Sequence, residues 1–367
     1  MQPANIMRTL FISIALLLSA HHFLTAQTDA KSRSLALVRH AYAAMDTGNV
    51  NEGMGMLEEA HRIDPESPDY LYEEASLQYN LKDYEKARGT MRELLQRRPE
   101  GPWQWYIMLG DSYDMLGDAK TATSIYDDGL KRFPKSGSLY QERGRMALAD
   151  NEYDSAIEFW ENGIRADPKF PGNYYWAALL YCGSSEKIWG LIYGEIFMNL
   201  EQNSGRTGQM SALLYKTYQE LYYFVSDSLR VNLTAHQEEN LSSRGKGTKR
   251  PFIRHYVPLF RTASALMGTV RKIEVAEIDS VRRAFVDLWF ADENSGEMEN
   301  VLMDWQKTLR AAGLMEAYDY WLLDEGIGKI ARHEWWKKNA ATMEKLARFM
   351  ESHHIAIDAE HYFGPEW

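Results

Sequence analysis

The residues able to do chemistry in this chain are few and scattered. His333-Glu334 opens as a zinc-hydrolase helix motif does, but Lys337 stands four residues after His333, where a second imidazole would share the helical face. His353, His354 and His361 cluster with Asp358 and Glu360 near the C-terminus. Adjacent histidines point to different faces of a helix, and the spacing fits no ligand pattern, so no metal is expected. Cys182 is the single cysteine, which excludes an intramolecular disulfide. No histidine base stands near it, so it is expected to be buried and inert. Ser242-Ser243-Arg244-Gly245-Lys246-Gly247 has glycines and bases but lacks the strand-to-helix setting of a phosphate cradle. There is no GxSxG elbow and no GxGxxG. Asp154-Ser155, Asp227-Ser228 and Asp279-Ser280 resemble O-glycosylation sites of some bacteria, a motif short enough to recur by chance, and Asn232-Leu233-Thr234 is an acceptor only in a eukaryotic host. The expectation is a non-enzymatic protein without a cofactor.

If the side chains do not catalyse, the elements that carry them must present a surface. A period near 34 residues dominates the first half. Pro65, Pro99, Pro134 and Pro168 are spaced by 34, 35 and 34, and each closes a similar phrase. Units are placed at 34–67, 68–101, 103–136 and 137–170, with a degenerate fifth at 171–204. The eighth position is always small: Ala41, Ala75, Gly110, Gly144 and Ala178. So is the twentieth: Gly53, Ala87, Ala122, Ala156 and Gly190. Position 27 reads Ala60, Leu94, Gly129 and Gly163, and position 4 carries Leu37, Leu71, Tyr106, Tyr140 and Tyr174. Two antiparallel helices approach closely only where a side chain is absent or is a methyl, and large residues fill the space beside that contact. Turn phrases containing Gly48, Gly117 and Asn151 supply the left-handed residue that ends each first helix, and the closing proline stops the second.

This pattern resembles the tetratricopeptide repeat. The third unit carries it best, with Tyr106, Leu109, Gly110, Tyr113, Gly117, Ala122, Tyr126, Gly129 and Pro134. His40 and Glu74 depart from it where a buried leucine is usual, as does Leu94 where a small residue is usual. The resemblance covers 34–170 well and 171–204 weakly and implies a right-handed solenoid of helical hairpins over 34–204; the helix signals beyond it add an α-helical C-terminal domain over 205–367, so the expected fold is all-α. The resemblance also implies that first helices line a concave groove. That groove would show Arg39, Tyr42, Tyr72, Glu73, Tyr79, Asn80, Gln104, Met108, Asp111, Asp114, Gln141, Glu142, Arg145, Tyr175 and Trp176. The set is aromatic, amide-rich and net acidic. A grip on an acidic C-terminal peptide needs converging bases, so the expected partner is a protein or peptide with a neutral or basic extended segment.

In the C-terminal half the period is lost. Helices are expected at 206–228, from Pro251 to about 268, and at 276–291, 297–312, 314–324 and 328–352, with no strand. A basic exposed loop is expected at 242–250, continued by Arg254. The dense aromatics of 311–321 and of His333-Glu334-Trp335-Trp336 are expected to be core. At the N-terminus, Arg8, the apolar run Leu10–Ala20 and Leu24-Thr25-Ala26 read as a signal peptide, 1–26, followed by a linker, 27–33. The expectation is export, to a bacterial periplasm or beyond. The chain has 367 residues and a formal net charge of −11, which disfavours nucleic acid. Membrane association is expected to be peripheral at most. The function expected is an exported adaptor. The alternatives are a ligand-binding or enzymatic C-terminal domain with the repeats as targeting module, or an assembly factor of surface machinery.

Overall fold

The computed structural model describes residues 29–45, 47–65, 68–225, 228–235, 251–268, 270, 272–293 and 300–362. The expected signal peptide, the basic loop at 242–250, Asp227 and the C-terminal residues 363–367 lie outside them.

The repeats are helix pairs of near-constant length. They are α1 (29–45) with α2 (Val50–Ile63), α3 (Pro68–Asn80) with α4 (Tyr84–Arg97), α5 (Trp103–Met115) with α6 (Ala119–Arg132), α7 (Gly137–Ala149) with α8 (Tyr153–Ala166), and α9 (Pro171–Cys182) with α10 (Lys187–Leu200). Each second helix has 14 residues. In the first four it buries a stripe at i, i+4 and i+7: Gly53, Leu57, Ala60; Ala87, Met91, Leu94; Ala122, Tyr126, Gly129; Ala156, Trp160, Gly163.

The turns repeat as well. The backbone N–H of the residue after the left-handed position reaches back to a carbonyl of the last turn: Asn49 to Ala44, Asp83 to Gln78, Asp118 to Tyr113 and Glu152 to Ala147, at 2.8–2.9 Å. The left-handed residues are Gly48, Lys82, Gly117 and Asn151. Lys82 does this without the help of glycine or asparagine, which is why the sequence did not mark that turn.

Small and large positions compensate within a hairpin. Where position 8 is glycine, position 24 is aromatic. A Cβ on Gly110 would lie 2.2 Å from Tyr126, and one on Gly144 would lie 2.1 Å from the Trp160 indole nitrogen. Where position 8 is Ala41 or Ala75, position 24 is Leu57 or Met91, and all four are buried.

The chain divides into two compact units, up to Gly129 and from Leu130. The core of the first includes Val38, Leu57, Leu71, Met91, Leu94, Trp105 and Leu109. His40 is exposed and Glu74 half-buried, so neither irregular residue enters it.

In the second unit one apolar core runs from Ala147 to Ile357. The end of the repeat period at 204 therefore falls inside continuous packing. Gly194 makes this possible. It stands at position 24 of the fifth pair, and Leu214 and Met210 of α11 (Gly205–Leu221) come within 2.7 and 2.9 Å of where its Cβ would be. Ser204 and Thr207 start α11 with a reciprocal capping box.

The helix expected to reach 228 stops at Leu221. An antiparallel hairpin follows, β1 (Tyr222–Val225) and β2 (Ser228–Val231), in which Tyr222 pairs with Val231. Tyr-Tyr-Phe-Val is aromatic and β-branched, a composition that fits a pleated surface, and among the described side chains of the hairpin only Tyr222 and Val231 are buried. Then come α12 (Pro251–Ser264), α13 (Val275–Ala291), α14 (Val301–Ala311), α15 (Met315–Leu322), α16 (Lys329–Lys338) and α17 (Ala340–Ser352). The helix expected at 328–352 is two, interrupted at Asn339.

Candidate functional site

In the first unit the groove residues fall on α1, α3 and α5. The Tyr42 hydroxyl of α1 donates to Glu73 Oε2 of α3. Burial pushes the Glu73 carboxyl up to about 7, and among the described residues it has no ion-pair partner. Burial, with the negative charge of Asp111 on α5 nearby, raises the Tyr72 hydroxyl. Asp111 accepts from Tyr126 at 2.6 Å. Met108 and Asp114 are half-buried on the same helix, as is Gln104, whose Oε1 has no hydrogen-bond partner among the described residues. Tyr79 is half-buried edge-on to Tyr84, and Arg39 and Asn80 are exposed. Tyr42, Tyr72, Glu73 and Asp111 thus form one neighbourhood, aromatic and acidic.

In the second unit the groove residues satisfy one another. Gln141 donates to Glu142 at 2.7 Å, and Arg145 donates to the other oxygen of Glu142 at 2.6 Å. The Arg145 guanidinium lies 5.8 Å from the centre of Trp176, which stacks on Trp160. Tyr175 is buried and donates to Gln209 of α11 at 2.8 Å, with Arg206 of α11 over its ring. Glu142 and Tyr175 are therefore packing residues here, and α11 covers the end of this row.

The chemistry-bearing residues fall as follows. Cys182 is buried, which pushes its thiol up to about 11. His333 and Glu334 are exposed on α16, and Trp335 stacks on Tyr320 at 3.7 Å. Ser155 is half-buried, and Ser280 is exposed with its hydroxyl donating to the Ala276 carbonyl. His353, His354, His361, Asp358 and Glu360 all line one cavity of about 680 Å³ with Asn300, Asp304, Trp305 and Thr308. Among the described residues no three His, Cys, Asp or Glu side chains converge closely enough to hold a metal ion.

One polar cluster had no signature in the sequence. Arg282 of α13 is buried and donates to both Glu195 oxygens at 2.8 Å, to Tyr218 at 2.6 Å and to Asp319 at 2.8 Å. Gln306 and Tyr318 also donate to Glu195. Four helices of the C-terminal half are tied in this way to α10 of the last repeat. Burial raises the carboxyls of Asp319 and of its neighbour Asp279, with Arg282 and Arg283 acting in the other direction. The residues involved are far apart in the chain, so no local pattern announces them.

A sequence model of the tetratricopeptide repeat matches residues 38–102. These residues carry tetratricopeptide repeats. Among curated proteins, tetratricopeptide repeat protein 21B of Xenopus laevis is 26% identical over 129 residues, 34% of this chain and 10% of that protein. Tetratricopeptide repeat protein 21A of Mus musculus is 26% identical over 122 residues, 32% of this chain and 9% of that protein. The chain thus spans about a tenth of the length of these relatives. Among solved structures, a thermophilic tetratricopeptide-repeat protein of Thermus thermophilus is 18% identical with a TM-score of 0.43, covering 49% of this chain and 98% of its own. PilF of Pseudomonas aeruginosa is 16% identical with a TM-score of 0.45, covering 52% and 87%. Tetratricopeptide repeats are a protein-interaction fold, and this chain has that fold.

Proposed function

We propose that this tetratricopeptide-repeat protein is an exported, non-catalytic adaptor that takes up a neutral or basic extended segment of a partner on the first helices of its repeats. The observation that carries the reading is Glu73. A half-buried carboxylate without a cation is costly, and a lysine or arginine of a partner would relieve it. Tyr42 donates its hydroxyl to Glu73, and Tyr72 lies near Asp111, which adds a second negative charge; aromatic side chains of this kind suit contact with an extended peptide. The non-catalytic reading rests on the inert setting of Cys182 and the exposure of His333. Export rests on the N-terminal pattern alone. Among the described residues no helix is long and apolar enough to cross a membrane.

The test is fluorescence anisotropy with labelled extended peptides that are basic, neutral or acidic at the C-terminus. The basic peptide is expected to bind tightest and the acidic one weakest. Glu73→Gln is expected to weaken the basic peptide by roughly tenfold or more, the effect of one charge-assisted hydrogen bond. Tightest binding of the acidic peptide, or binding of the basic one unchanged by Glu73→Gln, would sink the proposal.

A further inference from the structure

Two buried aspartates in the second unit leave a bonding problem that their arginines do not solve. Asp279 stands on α13 and Asp319 on α15, with exposures of 2% and 0%. Each spends one oxygen on an arginine. Arg283 pairs with Asp279 Oδ2 at 2.6 Å, and Arg282 donates to Asp319 Oδ1 at 2.8 Å. The other two oxygens, Asp279 Oδ1 and Asp319 Oδ2, are shut off from water, and no N–H or O–H of the described residues donates to them. The two carboxyl groups lie within hydrogen-bonding reach of one another. Ionised carboxylates only accept, so a bond between them needs a proton on one oxygen. Without it, two like charges would face each other in a dry interior, each with an orphaned acceptor.

The charges around the pair ask for the same proton. Arg282 and Arg283 supply two positive charges, against three negative ones from Glu195 of α10, Asp279 and Asp319. Arg310 of α14 faces Asp279 but is held by Asp287 at 2.8 Å, and Glu316 of α15 adds negative charge. Burial keeps the hydroxyls of Tyr218 on α11, Tyr256 on α12, and Tyr318 and Tyr320 on α15 neutral. The buried side chains of α17 are Met343, Leu346 and Met350, which carry no charge. Burial raises both aspartates, in keeping with a retained proton.

We propose that Asp279 Oδ1 and Asp319 Oδ2 hold one proton between them, which latches α13 to α15 and passes to solvent as pH rises. Its loss leaves adjoining buried carboxylates that push the two helices apart. The latch does not depend on peptide uptake by the repeats. Asp279→Asn tests it, because the amide oxygen can accept from Arg283 while the amide N–H donates to Asp319 Oδ2, a fixed copy of the shared proton. That variant is expected to fold with circular dichroism unchanged. Infrared difference spectra of the full chain, wild type minus Asp279→Asn, are expected at neutral pH to show the carbonyl stretch of one protonated carboxyl per chain, shifted in deuterium oxide. As pH rises the band is expected to vanish in a single step, and the guanidinium midpoint of wild type relative to Asp279→Asn to fall with it. Both are expected to persist in a Glu73→Gln background. No such band, its loss in the Glu73→Gln background, a midpoint that falls equally in Asp279→Asn, or an Asp279→Asn chain that does not fold would each overturn the proposal.

Discussion

Replacing Gly144 with alanine tests the packing rule of the hairpins at its tightest point. In an ordinary helix the change is favourable by up to about 1 kcal/mol, because glycine loses more backbone freedom on folding. Here the added Cβ would stand 2.1 Å from Nε1, 2.5 Å from Cδ1 and 2.6 Å from Cε2 of Trp160. That indole is fully buried, stacks on Trp176 and donates to the Gln141 carbonyl at 3.2 Å, so it can move only by giving up these contacts. Overpacking of this kind costs about 1–3 kcal/mol, which outweighs the helix gain. Gly208 of α11 is the control in the same unit. Its Cβ would meet nothing nearer than Glu325 Cγ at 3.7 Å, and it takes no left-handed conformation. Gly208→Ala is therefore expected to stabilise by several tenths of a kcal/mol. Guanidinium denaturation followed by circular dichroism reads both, and in a thermal melt each kcal/mol corresponds to roughly 2–4 °C. A Gly144→Ala chain as stable as wild type, or more so, would refute the reasoning.

Four further outcomes follow from the same geometry. Glu73 has its carboxyl raised to about 7, so it ionises across neutrality, and basic-peptide affinity is expected to rise from about pH 6 to about pH 8 in wild type and to stay flat in Glu73→Gln, as anisotropy would show. Asp279 is raised in the fold, so its contribution to stability is full below the ordinary aspartate range and is lost as pH rises through its folded value. The stability of wild type relative to Asp279→Asn should therefore fall as pH rises above the ordinary aspartate range in denaturant titrations. Arg282→Met leaves Glu195 and Asp319 buried without their cation, and a loss of about 3–5 kcal/mol is expected in the same assay. Cys182 is buried with its thiol raised to about 11, so it should resist a disulfide reagent at about pH 8 in the native protein and react in guanidinium.

The repeats were legible because their physics is local. A small residue, a turn and a proline recur at fixed spacing, and each hairpin answers to its own stretch of about 34 residues. The compensation of Gly144 by Trp160 could even be read as two columns of the same period. The turn at Lys82 could not, since nothing in lysine marks a left-handed position. Nor could the short hairpin after Leu221, whose tyrosines serve an amphipathic helix as well as a strand until the partner strand is known. The polar contacts made at the expected groove positions were not legible. Tyr175 and Glu142 hold groove positions in the period, yet α11 and Arg145 take up their polar groups. The Arg282 cluster assembles residues from 195 to 319, and the cavity joins Asp304 to a segment far along the chain. Contacts of that range leave no periodic trace.

Hydrogen–deuterium exchange on the complex with a saturating basic extended peptide addresses the binding claim most directly. Slowed exchange is expected in α3 and α5, the helices that carry Tyr72, Glu73 and Asp111, with α4 unchanged. Protection confined to α2 or α4, or none on α3 and α5 while the peptide is bound, would contradict it.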